Sequence, residues 1–597
     1  MNNRTLYLSL ITLTLPLSWL SASTEGLNQE AYLKSTNIGS DVYGNDVAIS
    51  GRFAIVGAAS EDGSGTSVNP APDDLAANAG AVYVYERING VWTFHSYLKA
   101  SNTDANDAFG ADVVIDGDLL AVSATGESSN ATGINGDEAN NDAMNSGAVY
   151  IFRLEGDTWV QEAYLKASNS DTNDRFGTAL ALDGDTLVVG APDDEGANTE
   201  TGSAYVFVRS AGEWTEQARL NAAIWRNGDD FGTSVAIDGD VLVVGAPNED
   251  GSATGVNGDN NNDSNNAGAA YVFKRSGGTW SEIAYLKASN TDPEDRFGSA
   301  VTISGNTIAV GSVHERGSIG GINPVTNNDV LRTGAVYVFV ENGAGWEPQA
   351  TIKAAYPTLN DEFGNQVELS GDLLVVASYK ESGASSGIDG DETTDGAAES
   401  GAVYLFTREG STWKQDRYLK ASNAGGGDQF GGAIAIHSED AGDLLIVGAG
   451  DEDGSSPGVN GPDNNLSGNA GAAYAFSIPR PVIGVKLGSF ALTNNAGTLN
   501  LGKIETGKKA RAKTFTIQSL GWSDLSGLRV VASGKQRRDF KITQPASKTL
   551  APDTSTTFRV TFRPRAKGNR KATLLIHSNA PKSNPFVLNV NGRARGR

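Results

Sequence analysis

The sequence predicts an all-β protein, a seven-bladed β-propeller followed by an immunoglobulin-like β-sandwich. Three observations carry the prediction. An aromatic-Gly pair recurs seven times: Tyr43-Gly44, Phe109-Gly110, Phe176-Gly177, Phe231-Gly232, Phe297-Gly298, Phe363-Gly364 and Phe430-Gly431. The copies are spaced by 66, 67, 55, 66, 66 and 67 residues, so one supersecondary unit is used repeatedly. The seventh copy also lacks its last strand, and a matching strand stands at the N-terminus.

Each unit reads as four antiparallel strands. In the copy at Phe231, Ser234 to Ile237 alternates apolar and polar residues, and Asp238-Gly239 marks a hairpin before Val241 to Val244. Gly245-Ala246-Pro247 ends that strand, since Pro cannot extend the ladder. A polar loop follows, then Ala269 to Lys274, a Gly-Gly turn, and a strand around Trp280 to Lys287. One such sheet cannot bury both faces, whereas seven packed radially can. The seventh copy stops at Tyr474-Ala475-Phe476. Ala31-Tyr32-Leu33-Lys34 matches Ala163-Tyr164-Leu165-Lys166, so residues 28–35 supply the missing strand and close the ring.

Two further repeats serve the scaffold. Trp92, Trp159, Trp214, Trp280, Trp346 and Trp413 each stand six residues before the Leu or Ile of a fourth strand, as expected for blade-to-blade packing. An Asp lies two residues before every aromatic-Gly: Asp41, Asp107, Asp174, Asp229, Asp295, Asp361 and Asp428. A residue present in all seven copies reads as a turn cap that accepts backbone amides.

Residues 1–23 read as a secretory signal, with Arg4, an apolar run from Leu6 to Leu20, and cleavage after Ser23. The run is shorter than the roughly 20 residues that span a bilayer, and no other stretch is long enough. The mature chain is therefore expected to be exported (secreted, periplasmic or cell-surface) without a transmembrane segment. There is no cysteine, so neither disulfides nor thiolate metal sites occur. From Ile483 onward, 22 Lys and Arg face 4 Asp and Glu, whereas the rest of the chain carries 24 against 67. That asymmetry separates two domains: a propeller over 24–478 and a sandwich over 483–597, joined by a linker at 479–482.

The units resemble the FG-GAP repeats of the integrin α-subunit propeller. The likeness rests on the aromatic-Gly openings with Gly190-Ala191-Pro192 and Gly245-Ala246-Pro247, and it covers about residues 27–478. The order Trp, Leu-Lys-Ala-Ser, Phe-Gly, Val-Gly-Ala-Pro, Ala-Tyr-Val-Phe looks like the bacterial extracellular branch of that family. The integrin calcium loop lies between the first two strands. Here that junction is a tight Asp-Gly turn, so that site does not carry over. The tail resembles Hydin-type immunoglobulin-like modules, called choice-of-anchor D domains in bacteria, through Leu550-Ala551-Pro552, Phe558 to Pro564 and Ala572 to Asn579. This resemblance implies a surface or envelope setting.

The loops between second and third strands are the candidate sites. Asn135, Asp137 and Asp142 form one oxygen-rich group, Asn257, Asp259 and Asp263 a second, and Asp389, Asp391 and Asp395 a third; Asn460 with Asp463 is a fainter copy. Flexible loops rich in carboxylates and amide carbonyls suit Ca²⁺, the one cofactor the sequence suggests. The other reading of these loops is a solubilising acidic surface. All of them are expected on one face of the ring. No catalytic constellation is visible: His95, His314, His437 and His577 fall at unrelated positions. The basic tail has Trp522 alone and lacks the spaced aromatics of a nucleic-acid surface, so nucleic acid is not expected as a partner. The expected function is a binding or adhesion scaffold that offers propeller loops to an extracellular protein or polysaccharide. A self-associating envelope protein and a carbohydrate-binding or hydrolytic propeller are the alternatives.

Overall fold

The computed structural model describes residues 26–36, 39–194, 201–224, 226–325, 327–439, 442–462, 466, 468–521, 523–580 and 584–596. The signal-segment reading of 1–23, Asp463 and Trp522 lie outside these. The described residues hold strands, one short 3₁₀ turn and no α-helix. No helix among them is long and apolar enough to cross a membrane. The chain divides into two compact units, one of Asn28–Glu439 with Asp443–Ile478 and one built on Pro479 onward.

Among the described residues the larger unit holds seven antiparallel sheets; five have four strands in chain order, and the fifth and seventh add a short strand out of order, Gly321–Ile322 and Gly458–Val459. The fourth sheet shows why. Val241–Ala246 is apolar throughout because it is covered on both faces, whereas Thr279–Leu286 alternates and keeps one edge wet. Asp238 pairs with Val241, so the first hairpin closes in two residues around Gly239, whose φ of 60° suits a primed turn. The third and fourth strands share a bulge at Val272/Phe273, and all seven sheets carry one at the equivalent pairing. A bulge increases local twist. In the seventh sheet, Ala472–Pro479 is followed in space by Asn28–Lys34, with Tyr32 opposite Tyr474 and Leu33 opposite Ala473.

Hydrophobic cores form between consecutive sheets. One such core joins Ile55, Val82 and Val84 of the first sheet to Phe109, Val122 and Trp159 of the second. Each large side chain buried this way contributes about 1.5–3 kcal/mol. The recurrent tryptophans lie at these junctions, and the indole N–H of Trp92, Trp214, Trp280 and Trp413 reaches Glu30, Glu162, Gln217 and Gln349 on the preceding sheet. Ile283 occupies the equivalent place before Trp346 and offers no acceptor, which leaves that indole N–H unsatisfied.

The two glycine motifs meet across the same junctions. Gly298 has φ +95°, and a Cβ there would sit 2.2 Å from the Ala269 carbonyl oxygen of the preceding sheet. A Cβ on Gly245 would sit 2.1 Å from the Gly298 carbonyl oxygen. The last junction follows the same rule, with Gly448 set against Gly44. First-strand residues of the first and seventh sheets also pack together. On the hairpin side, the sheets are linked in series by turn contacts. Asp116, Asp183 and Asp238 accept the amides of Gly184, Gly239 and Gly305 on the next sheet, and Ser50 and Ser304 do the same for Gly117 and Gly371.

The second unit is a two-sheet sandwich. One sheet orders Phe490–Leu492, Ile483–Leu487, Lys513–Ser519, Ser555–Phe562 and Phe540–Thr543; the other orders Thr498–Glu505, Phe586–Arg595, Gly568–His577 and Arg529–Ser533. Phe515, Phe558, Leu574, Ile576 and Val590 fill the space between them. Thr498–Glu505 runs parallel to Phe586–Arg595.

Candidate binding face

The long loops between second and third strands lie beside the connections from each fourth strand to the next sheet. Asn145 Nδ2 donates to Asn173 Oδ1 at 3.1 Å, and Asn78 and Asn266 make the corresponding bonds to Asn106 and Glu294. All of these loops therefore belong to one face, opposite the hairpin turns. The backbone is locked by the seven repeated aspartates. Each accepts an amide two or three residues upstream, from Asp41 with Gly39 at 3.1 Å to Asp428 with Gly425 at 2.6 Å.

Beneath the loops sits a buried polar cluster that sequence reasoning missed. In the fourth sheet, Lys287 Nζ donates to Glu249 Oε2 at 2.8 Å and Tyr285 Oη donates to Glu249 Oε1 at 3.0 Å; the Lys and Glu side chains are both 0% exposed. Glu249 follows the second strand and Lys287 follows the fourth, so the pair closes the base of the loop. The same pair recurs as Lys34–Glu452, Lys99–Glu61, Lys166–Glu127, Lys353–Glu315 and Lys420–Glu381. Lys99, Lys166 and Lys420 also reach the start of the third strand, at Gly80 O, Ser146 Oγ and Ser400 Oγ. Burial pushes Lys287 below the usual lysine range, although Glu249 pulls the other way. The third sheet substitutes the whole set: Arg219 Nη2 meets Asp194 Oδ2 at 2.6 Å, and Asn221 fills the lysine position and donates to Gly202 O.

A second lock holds the middle of each loop. Asn257, at φ 53°, accepts Tyr285 N on Oδ1 at 2.9 Å and donates its own N to Tyr285 O at 2.8 Å. Asn69, Asn135, Asn323, Asp389 and Asn460 occupy the same position in other sheets and clasp the fourth strand in the same way.

The FG-GAP repeat family matches residues 92–152, 159–207, 214–273, 280–339 and 346–406, and the HYDIN/CFA65/VesB-like Ig-like domain matches 491–593. The chain is an FG-GAP repeat protein with a C-terminal HYDIN-like Ig-like domain. FG-GAP repeats and Ig-like domains of this kind are typical of extracellular proteins and are typically non-catalytic. No curated protein matches the chain. Three solved structures show weak likeness. A PapD-like domain of human CEP192 is 11% identical over 19% of this chain and 86% of that one, at a TM-score of 0.14. A family 123 glycoside hydrolase from Clostridium perfringens is 9% identical over 20% and 27%, at 0.16. A protein of unknown function from Porphyromonas gingivalis is 13% identical over 37% and 92%, also at 0.16. Likeness at this level carries no argument about function.

The nine loop residues singled out from the sequence are all exposed on the FG-GAP loop face. Asn135, Asn257 and Asp389 use a side-chain oxygen to hold the fourth strand. Asp137 Oδ1 accepts Ala139 N, and Asp391 Oδ1 accepts both Thr393 N and Thr393 Oγ1. Asp395 bridges to Gly383. Among the described residues no three His, Asp or Glu side chains converge to hold a metal ion.

The first strands of all seven sheets of the larger unit line a cavity of about 390 Å³. Asp46, Asp112 and Glu368 are among its lining residues. Asp46 Oδ2 accepts Val113 N at 2.7 Å and Asp112 Oδ2 accepts Leu180 N at 3.2 Å, so each carboxyl ties its sheet to the next. Burial pushes Asp46 up to about 7 and Glu368 to about 8. It also raises the turn caps Asp107, Asp229 and Asp295 to about 7 and Asp41 and Asp361 to about 6. A carboxyl whose folded pKa lies above its unfolded value keeps its proton in the fold first. Its stabilising contribution is full below about pH 4 and is lost as pH rises through 6 to 8. We expect the FG-GAP unit to melt roughly 3–6 °C higher at pH 5 than at pH 8, followed by circular dichroism. His314, pushed down to about 4 by burial, opposes this below pH 6.5. A higher melting temperature at pH 8 would refute the assignment.

Proposed function

We propose that residues 28–478 form a closed seven-bladed propeller that acts, on an exported protein, as a binding or adhesion scaffold. Its loop face meets an extracellular protein or polysaccharide, and the Ig-like domain positions or tethers it. The observation that supports this reading most is the double fastening of the loops: buried Lys–Glu pairs at their bases and Asn clamps in their middles. A surface held this way loses little conformational freedom on binding. The second and third strands of every sheet are spent on core packing, so the variable loop residues are the ones free to specify a partner.

The test is retention of residues 24–597 on arrays of extracellular glycans and proteins, with Ca²⁺ and with chelator, beside a hydrolysis assay. Retention should fall at least tenfold when Asp137, Asp142, Asp259 and Asp263 become Ala, with the melting temperature unchanged. Retention lost in chelator and restored by Ca²⁺ would make the oxygen-rich loops calcium sites as well. Retention that survives the loop substitutions, or turnover of a bound glycan, would overturn the reading.

A further inference from the structure

The Ig-like domain concentrates its charge at one end. Four segments, 503–513, 535–539, 563–571 and 593–595, are tied together there. Gly507 N donates to Pro564 O at 3.0 Å, Thr506 N to Arg595 O at 3.1 Å, Arg563 N to Asp539 O at 2.7 Å and Lys571 N to Gln536 Oε1 at 2.7 Å. These segments carry 14 exposed Lys and Arg side chains, Arg537, Arg538, Arg563, Arg565 and Lys567 among them. Only two acids share the segments: Glu505, and Asp539, which is buried and paired with Arg570 at 2.6 Å. At the other end, where Leu525 pairs with Leu550, the described residues offer Lys548 against Asp524 and Asp553.

Crowding cations costs self-repulsion, which an anionic counterpart relieves. The chain carries that counterpart itself. The exposed carboxylates of Asp137, Asp142, Asp259, Asp263, Asp391 and Asp395 stand on the FG-GAP loop face. We propose that the basic end of the Ig-like domain docks onto the acidic loop face of a second copy of this chain. This inference rests on the loop face being a binding face and names its partner. The two surfaces differ, so the contact is heterologous and each copy keeps one free surface of each kind. Assembly is therefore open-ended rather than a closed dimer.

The experiment is sedimentation of residues 24–597 over a wide concentration range, at about 0.1 M and about 1 M salt, where charges are screened beyond about 10 and 3 Å. Mass should grow with concentration at low salt and return to monomer at high salt. A basic-end variant (Arg537→Glu, Arg538→Glu, Arg565→Glu) and a loop variant (Asp259→Asn, Asp263→Asn, Asp391→Asn, Asp395→Asn) should each stay monomeric. Mixed together they should form dimers and nothing larger, because only one productive contact remains. A wild-type chain that is monomeric at every salt, or association that persists in either variant, overturns the proposal. Capture of a monomeric chain by sulfated polysaccharide through the basic end would overturn it too, in favour of a glycan. None of these results decides the array experiment, which reads the loop face against other partners.

Discussion

Gly298→Ala is expected to destabilise the FG-GAP unit by about 3–5 kcal/mol, read as a loss of folding free energy in urea. Two costs combine. The backbone at Gly298 has φ +95°, where an L side chain costs about 1–2 kcal/mol. The new Cβ would also lie 2.2 Å from Ala269 O and 3.1 Å from Ala246 N, both main-chain atoms of the neighbouring sheet. Backbone cannot swing aside as a side chain does, so the sheets must part, at about 1–3 kcal/mol or more. Gly305→Ala is the matched control. Gly305 also has positive φ, 59°, but a Cβ there meets nothing within 4 Å, so only the first cost applies. Equal losses at the two sites would show that sheet-to-sheet approach is not what these glycines provide.

Lys287→Ala should cost a similar amount, about 3–5 kcal/mol, because it leaves the Glu249 carboxylate buried without its cation. The paired change Lys287→Met with Glu249→Leu should recover most of that loss, since an apolar pair of similar volume avoids both desolvation penalties. Recovery will be incomplete, as Tyr285 Oη loses its acceptor. Lys287→Asn should not imitate the third sheet. There Asn221 works because Arg219 supplies the charge to Asp194, whereas the fourth sheet has Tyr285 at that position. A loss below about 1 kcal/mol for Lys287→Ala would place the pair in the class of solvated surface bridges.

The repeat was legible in the sequence because its marks are local. The aromatic-Gly pairs, the tryptophan spacing and the seven aspartates each recur at fixed offsets, and the amide bonds to those aspartates occur in all seven copies. The Lys–Glu pairs were not legible. Lys287 follows directly on an alternating strand, between buried Leu286 and Ala288, so it reads as solvent-facing. Its partner lies 38 residues upstream, beyond a loop of variable length. One signal was available: where lysine gives way to Asn221, the glutamate gives way to Asp194 and an arginine appears at 219. Asn135, Asn257 and Asp389 attracted notice as oxygen ligands because acids follow them. Asn69 and Asn323 share their position with Pro next in place of Gly and no acid two residues on, and they clasp the fourth strand all the same. In the sandwich, Thr498–Glu505 escaped notice because its polar residues and Gly502 mask the alternation, and it pairs with the last strand of the chain.

The seventh sheet sets an order on the molecule's own making. Its outer strand, Asn28–Lys34, is synthesised about four hundred residues before the strand it pairs with, Ala472–Pro479. Six sheets can be complete on a nascent chain while that early segment still waits. Lys34 meets its buried partner Glu452 only when that late strand arrives. Pairing of that strand is therefore the last step in completing the seven sheets, and it tests the whole repeat array. A chain truncated before Ala472 leaves Asn28–Lys34 without its partner strand, and so marks itself as unfinished.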